Sequence, residues 1–173
     1  MDPTAPSLER SLAAALARDA DPARVEATLR WLEGGNRHLL RIADPRYPEP
    51  LLHVHRPPPI LYVEGRVGLL AAPAFAIVGS RNATSQGVRD AQSFARAIAE
   101  RGIAIVSGLA LGIDAAAHRG GLEAAGSSIA IMGTGPDIRY PPGNRRLAEA
   151  LAERGCLVSD FPLATPPAAR NFP

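Results

Sequence analysis

The sequence predicts an α/β fold in which an open, mostly parallel sheet carries helices on both faces. Four short apolar runs, amphipathic segments between them and glycine-rich turns after the first three runs lead to this prediction. Runs that lack alternating polar residues are typical of strands covered on both sides. Strands that alternate with helices form parallel sheets with right-handed crossovers.

The four predicted strands lie in the second part of the chain. They are AFAIVG at 74–79, IAIVSG at 103–108, SSIAIMG at 127–133 and CLVSDF at 156–161. Cys156 opens the fourth strand, at the edge of the sheet opposite the carboxyl ends of the strands, and is expected to belong to the core. Residues 71–173 are therefore assigned to one α/β domain.

Three crossover helices are predicted between these strands. The first runs from Thr84 to Arg101, and Gly102 ends it. Its apolar stripe consists of Val88, Ala91, Phe94, Ala95 and Ile98. The second and third helices occupy 113–125 and 144–154, with Asn144 at the N-cap of the third.

Residues 1–70 are predicted to be a small helical extension followed by a connector. After six residues without a pattern, SLERSLAAALARDA at 7–20 has leucines at helical spacing. A second helix starts at Asp21-Pro22, a cap followed by proline at the first helical position, and stops at Gly34. Trp31 on this helix is expected to be buried.

The connector, residues 38–65, is called the strap below. Its short apolar pieces are separated by prolines, which fix φ and remove donors, so we expect an extended conformation. His53 and His55 are the histidines closest in sequence, but no third ligand is spaced to complete a metal site. No metal is predicted.

Composition narrows the class of protein. A chain of 173 residues allows one domain of ordinary size, and the lone Cys156 excludes an internal disulfide and indicates a reducing compartment. No apolar run of 18 residues and no signal-type N-terminus appear, so a soluble cytoplasmic protein is expected. All 19 basic residues are arginine, against 17 acids, so every cationic contact comes from a planar guanidinium.

Three glycine-rich loops follow the first three strands of the predicted sheet. The first loop, 79–84, opens with Gly79-Ser80-Arg81. The second, 107–112, contains Ser107 and Gly108; the third, 133–141, contains Gly133 and Gly135. Carboxyl ends of parallel strands meet at one edge of a sheet, where ligands bind. Glycines permit close approach, helix N-termini attract anions, and Arg81 can grip two phosphate oxygens, so a phosphate site is predicted.

Other phosphate and catalytic patterns are missing. The first loop lacks G-x-G-x-x-G, and a chain without lysine cannot carry the P-loop motif. His118 is interpreted as a packing or capping residue, Asp114 as a ligand of nearby backbone amides, and Cys156 as core. The site is expected to bind a ligand, with no chemistry and no cofactor assigned.

IVGSRNATSQG, IVSGLALGIDAAAH, IAIMGTGPDIRYPPGN and LVSDFPLATPPAARNFP, in this order, closely resemble the DNA-processing protein A (DprA/Smf) family. The resemblance covers about residues 25–173 and implies an extended Rossmann-like fold. It also implies a non-enzymatic protein that binds single-stranded DNA, protects it during natural transformation and loads the RecA recombinase. A homodimer is implied for the full-length family.

The resemblance implies roles for individual residues. Arg81 is the principal phosphate contact, and Gly79, Ser80, Ser107 and Gly108 offer donors to the same strand. Gly133 and Gly135 shape the pocket floor, Tyr140 braces it, and Asn144 caps the following helix beside the DNA. Arg170 and Phe172 supply a further phosphate contact and a stacking ring. A site that uses roughly two to four arginines is expected to show a shallow salt dependence, in which the slope of log K against log salt concentration is of about the same size as the number of arginines.

The family's chain continues past RNFP, so the sheet and the surface for self-association and RecA are expected to be incomplete here. One alternative is a nucleotide phosphoribohydrolase of the lysine-decarboxylase-like (LOG) group, whose phosphate loops are similar. That group has P-G-G-x-G-T followed by a catalytic glutamate, whereas MGTGPDIRYP has no glutamate before Glu149. A remnant without binding activity is a third alternative.

Overall fold

The computed structural model describes residues 21–172, so the helix expected at 7–20 lies outside the described residues. The chain divides into two compact units, Met1–Gly34 and Gly35–Pro173. The first unit contains α1 (Pro22–Leu32), where the Asp21 carboxylate accepts from Ala23 N at 3.0 Å. The predicted cap and N-terminal proline are confirmed, and Trp31 is buried.

A six-stranded sheet organises the second unit. Its strands are β1 (Arg37–Arg41), β2 (Ile60–Gly65), β3 (Ala74–Ala76), β4 (Ala104–Ser107), β5 (Ser128–Ile131) and β6 (Cys156–Ser159). Their spatial order is β1-β2-β6-β5-β4-β3. Strands β3 to β6 pair in parallel, as predicted, whereas β1 and β2 pair antiparallel. The mostly parallel α/β fold is confirmed.

Three long helices cover one face of this sheet. The helices of the second unit are α2 (Glu49–Leu52), α3 (Ser85–Ala99), α4 (Ile113–Leu122) and α5 (Arg145–Arg154). Because β3 to β6 are placed in chain order, right-handed crossovers put α3, α4 and α5 on the same face. Ile105 packs there against Ala95 and Ala117, and Leu157 packs against Leu151.

The strap covers part of the opposite face. Tyr47 and Leu69 join Ala104, Ile129 and Val158 in a second buried cluster, with α2 and the 3-10 turn Val67–Ala71 nearby. Helical cover on this face therefore comes from short turns of the connector. Within residues 21–172, none of the helices combines the length and apolar character needed to cross a bilayer.

The strap belongs to the sheet through β1 and β2, which we did not predict. Val63 of β2 pairs with Val158, so β6 is an interior strand and its first residue, Cys156, is fully buried. The prolines at 57–59 precede β2 and remove no donor from its ladder. The two compact units divide after Gly34, and β1 and β2, which precede residue 70, belong to the sheet of the second unit.

The strand β3 and Phe94 of α3 were expected inside the protein but are exposed. All residues of β3 are exposed, because this strand ends the described sheet and the strap does not reach it. Phe94 of α3 is 68% exposed, although its stripe was expected to be buried. A Cβ on Gly120 would collide with Gln92 O and lie 2.9 Å from Ala95 Cβ, so α3 approaches α4 through small residues. The close approach involves Gln92 and Ala95, and Phe94 remains exposed.

Candidate nucleic-acid interface

The first two loops meet at the carboxyl ends of β3 and β4. Ile113 N, at the start of α4, donates to Ser80 O at 3.1 Å. Gly112 has φ +79°, and a side chain there would collide with Ser80 O. Glycine is therefore required where the second loop passes under the first.

A pocket of about 330 Å³ opens at this edge of the sheet. Its lining comes from all three loops and from the C-terminal segment: Arg81, Gly108, Ala110, Leu111, Tyr140, Pro141, Pro167, Ala168, Ala169 and Phe172. The sequence predicted that the three loops converge, and they do. Phe172 also lines the pocket, because the C-terminal segment of the chain returns over the third loop.

Arg81 supplies the positive charge of the pocket. Its side chain is exposed, and no carboxylate among residues 21–172 forms an ion pair with it. No acidic residue lines the pocket either. An unpaired guanidinium at a concave, mostly apolar surface is suited to a phosphate ligand.

Tyr140 and Phe172 form an aromatic pair at the pocket. Their ring centroids are 5.8 Å apart and their planes are inclined by 40°. A Cβ on Gly133 would lie 2.5 Å from Phe172 Cε1, so glycine makes room for the ring. Asn171 Nδ2 donates to Gly133 O at 3.0 Å and holds the RNFP segment against the third loop. Gly133 therefore supports Phe172 instead of forming an open floor.

The interpretation of Asp114 is confirmed. Its Oδ2 accepts from Gly108 N at 3.1 Å and from Ala110 N at 3.3 Å. The Gly108 amide is thus occupied, and a carboxylate stands in the first turn of α4. At α3, Thr84 Oγ1 accepts from Gly87 N at 3.1 Å. The N-terminus of α3 is thus capped by its own threonine, whereas α4 has no side-chain cap and its first amide, Ile113 N, donates to Ser80 O.

Three further loop residues serve the scaffold. The Ser107 hydroxyl is buried and donates to Ile77 O at 2.7 Å, which ties β4 to the strand before it. Ser80 Oγ accepts from Asn82 N at 3.1 Å within the first loop. A Cβ on Gly79 would lie 2.8 Å from Ile113 Cγ1, so the absence of a side chain on Gly79 makes room for the side chain of Ile113.

Gly135, Asn144 and Arg170 also lie differently from what was implied. Gly135 packs against the C-terminal segment, since a Cβ would lie 2.6 Å from Pro162 O. Asn144 is buried at the N-cap position of α5 but makes no capping bond; its amide donates to the second loop. Arg170 is exposed and does not line the pocket.

His118 and Cys156 are buried away from the pocket lining. His118 Nδ1 lies 2.7 Å from Ser128 Oγ, which donates to Ile105 O at 2.9 Å, so Nδ1 carries the proton. Burial lowers the pKa of His118 to about 3 and raises the pKa of Cys156 to about 12. Both groups are neutral at physiological pH and act as packing residues. In the described part of the chain, no three His, Cys, Asp or Glu side chains are placed to hold a metal.

Sequence reasoning missed a buried ion pair beside the site. Arg139 Nη2 lies 2.6 Å from Glu64 Oε2, which joins the third loop to β2. It also missed Leu111 and the 167–169 segment as pocket walls. The charged glutamate within the apolar piece ILYVEG was the available signal, because a buried acid requires a partner.

The sequence of this chain is similar to the sequences of known proteins. A sequence model described as DNA recombination-mediator protein A matches residues 38–173. The chain belongs to this family. Protein Smf from Escherichia coli K12 is 43% identical over 150 residues, which are 86% of this chain and 40% of that protein. DNA processing protein DprA from Streptococcus pneumoniae R6 is 36% identical over 132 residues, 76% of this chain and 46% of that protein.

Solved DprA structures share the fold. The Streptococcus pneumoniae DprA crystal structure matches with a TM-score of 0.74 and 32% identity, over 84% of this chain and 51% of that one. Helicobacter pylori DNA processing protein A, described for its single-stranded DNA binding mode, matches with a TM-score of 0.71 and 28% identity over 78% and 60%. This DprA/Smf chain spans 40% of the Escherichia coli Smf protein and 46% of the Streptococcus pneumoniae DprA protein, which is less than half the length of either curated relative.

Proposed function

We propose that this DprA/Smf chain binds single-stranded DNA at the three-loop pocket, with Arg81 on a backbone phosphate and Tyr140 and Phe172 against bases. The observation that carries the proposal is one pocket that contains an aromatic pair and the Arg81 guanidinium, which has no carboxylate partner among residues 21–172. Strand binding without sequence preference needs a cationic backbone contact and rings on which bases stack. The pocket contains both.

Binding without catalysis is the second part of the proposal. Among the lining residues, only Arg81 and Tyr140 are ionisable, and no carboxylate, histidine or cysteine lines the pocket. Glycosidic hydrolysis by the alternative LOG-type enzyme requires a carboxylate at this position. The third loop offers Asp137, but this carboxylate accepts from Ala164 N at 2.9 Å.

For the whole protein, we propose the role that the family resemblance implies. The strand held at the pocket is protected during natural transformation and passed to RecA. The single-stranded DNA binding mode described for the Helicobacter pylori relative supports the nucleic-acid partner.

Titration of the purified chain with a fluorescein-labelled oligo-dT tests the proposal. Arg81→Ala removes the phosphate contact and is expected to weaken binding about tenfold or more, since charge-assisted bonds are worth roughly 1.5–3 kcal/mol. Arg101→Ala is the matched control. Arg101 follows the C-terminal end of α3, at the edge of the sheet opposite the three loops. Its Nη1 donates to Ala97 O at 2.7 Å.

Equal affinities of the Arg81→Ala and Arg101→Ala proteins for oligo-dT contradict the proposal. Release of free base from a nucleoside monophosphate by the unaltered chain favours the LOG-type enzyme instead. The titration measures binding and the release of base measures hydrolysis, and both use the same protein preparation.

A further inference from the structure

We propose that the buried ion pair between Glu64 and Arg139 positions Tyr140 in the pocket, so that a strap residue outside the pocket sets the contact with the bases. The consequence for DNA rests on the function proposed above, whereas the placement of Tyr140 does not. Glu64 is not among the residues that line the pocket. It is therefore a positioning residue.

Glu64 is a carboxylate held between two guanidinium groups inside the sheet. It is 6% exposed on β2, where it pairs with Leu157 of β6 and with Arg37 of β1. Arg139 Nη2 lies 2.6 Å from Oε2, and Arg37 Nε lies 3.5 Å from Oε1. Its backbone is fixed by strands on both sides, so the carboxylate is a rigid anchor.

Arg139 connects the Glu64 carboxylate to the third loop. Its Nη1 donates to Pro136 O at 2.8 Å, while Nη2 bonds Glu64, so one planar guanidinium joins the loop to the sheet. Thr134 Oγ1 donates to Ile138 O at 3.0 Å and closes the intervening turn. Charge-assisted bonds from a forked group hold their geometry better than bonds to a single neutral atom.

Tyr140 follows Arg139 directly in the chain, and its side chain is exposed. It is 41% exposed, and its ring meets Phe172 with centroids 5.8 Å apart. Its position at the pocket therefore depends on the backbone that Arg139 holds. Loss of the charge on Glu64 releases Arg139 and widens the range of positions that the Tyr140 ring adopts.

Fluorine NMR of the free protein tests the positioning without DNA. Incorporation of 3-fluorotyrosine gives three resonances, because the chain has three tyrosines, and the spectrum of Tyr140→Phe assigns one of them. In Glu64→Gln, which keeps the shape and removes the charge, we expect the Tyr140 resonance to shift towards the value in denatured protein. Glu100→Gln is the matched control, since Glu100 pairs with Arg96 on the exposed surface of α3.

DNA titrations test the consequence at the site. Glu64→Gln is expected to bind a dT 12-mer about tenfold more weakly, the effect of one lost base–aromatic stack. Its affinity for an abasic 12-mer stays within about twofold, because the phosphate contact of Arg81 is unchanged. On a Tyr140→Ala background, Glu64→Gln has no further effect on dT binding.

Each outcome bears on one of the two proposals. If the unaltered chain binds neither oligomer, the function fails, and the fluorine spectrum still decides the positioning. A Tyr140 resonance that Glu64→Gln leaves unmoved overturns the positioning, as does equal weakening towards dT and abasic oligomers. Circular dichroism of each variant below its melting temperature ensures that folded proteins are compared. Should Glu64→Gln fail to fold, Arg139→Gln provides the same test from the other side of the pair.

Discussion

The side-chain amide of Asn144 donates to Leu109 O at 2.9 Å and to Ala110 O at 3.0 Å, so the start of α5 holds the second loop from behind. Leu109 has φ +60°, an unfavourable conformation for leucine, and its side chain is buried. Two bonds from one amide thus stabilise the backbone that forms one wall of the pocket. Asn144 acts on the site through this loop and not as a helix cap.

Asn144→Ala is expected to lower the free energy of unfolding by about 1–3 kcal/mol, because two carbonyls beside a buried side chain lose their donor. Urea denaturation followed by circular dichroism measures this change. Asn82→Ala, at an exposed position of the first loop, is the control and should change stability by no more than about 0.5 kcal/mol. Similar stabilities of the two variants would show that the Asn144 bonds contribute little.

Arg81→Ala is expected to reduce the salt dependence of DNA binding as well as the affinity. Each phosphate contact to a single strand contributes about 0.7 to the slope of log K against log salt concentration, through counterion release. The slope should therefore fall by about 0.7 in Arg81→Ala and stay unchanged in Arg101→Ala. Fluorescence titrations at several salt concentrations provide both slopes. A slope that Arg81→Ala leaves unaltered means that this guanidinium does not meet a phosphate.

Gly133→Ala is expected to weaken oligo-dT binding as Phe172→Leu does, although it leaves every aromatic residue in place. The new Cβ would lie 2.5 Å from Phe172 Cε1 and 2.8 Å from Asn171 O, so the ring must move from its position beside Tyr140. Loss of one stack costs about 1–3 kcal/mol of binding free energy.

Gly68→Ala is the control for this glycine substitution. A Cβ at Gly68 meets nothing within 4 Å, so its dT affinity should equal that of the unaltered protein. Full dT affinity in Gly133→Ala, measured in the same titration, would show that the position of Phe172 is not important for binding.

The buried His118 predicts a loss of stability in mild acid. Burial lowers its folded-state pKa to about 3, whereas the unfolded chain takes up a proton below about pH 6.5. Proton uptake by the unfolded state alone lowers the free energy of unfolding as the pH falls from 6.5 towards 3. Between pH 7 and pH 5, this contribution amounts to about 2 kcal/mol.

The same measurement on His118→Asn isolates the effect. Asparagine keeps a donor for Ser128 Oγ but does not titrate, so the stability difference between pH 7 and pH 5 should shrink by about 2 kcal/mol. His53→Asn, at an exposed histidine, should keep the full difference. If His118→Asn keeps the full difference too, His118 is protonated in the folded protein at pH 5.

The sequence was sufficient to predict β3 to β6, the three crossover helices and the convergence of the loops, because each depends on local hydrophobic period and on the direction of parallel strands. The interpretation of Asp114 as a ligand of backbone amides was also correct, because the amides that it binds, Gly108 N and Ala110 N, lie in the loop just before it in the chain. The tertiary contacts of Ser107, Asn144 and β6 were not predicted. Their partners, Ile77, Leu109 and the strap strand β2, are distant in sequence.

The local pattern of residues thus determined which elements form, their order along the chain and the presence of Arg81 at the tip of the first strand. Only the tertiary structure decided which donors stay free. Packing occupied the amide of Gly108 and the hydroxyl of Ser107, but left Arg81 without a carboxylate partner among the described residues. It also brought Phe172 back over Gly133 and tied the third loop to Glu64. Such pairings depend on contacts between distant segments, for which the local spacing of residues gives no signal.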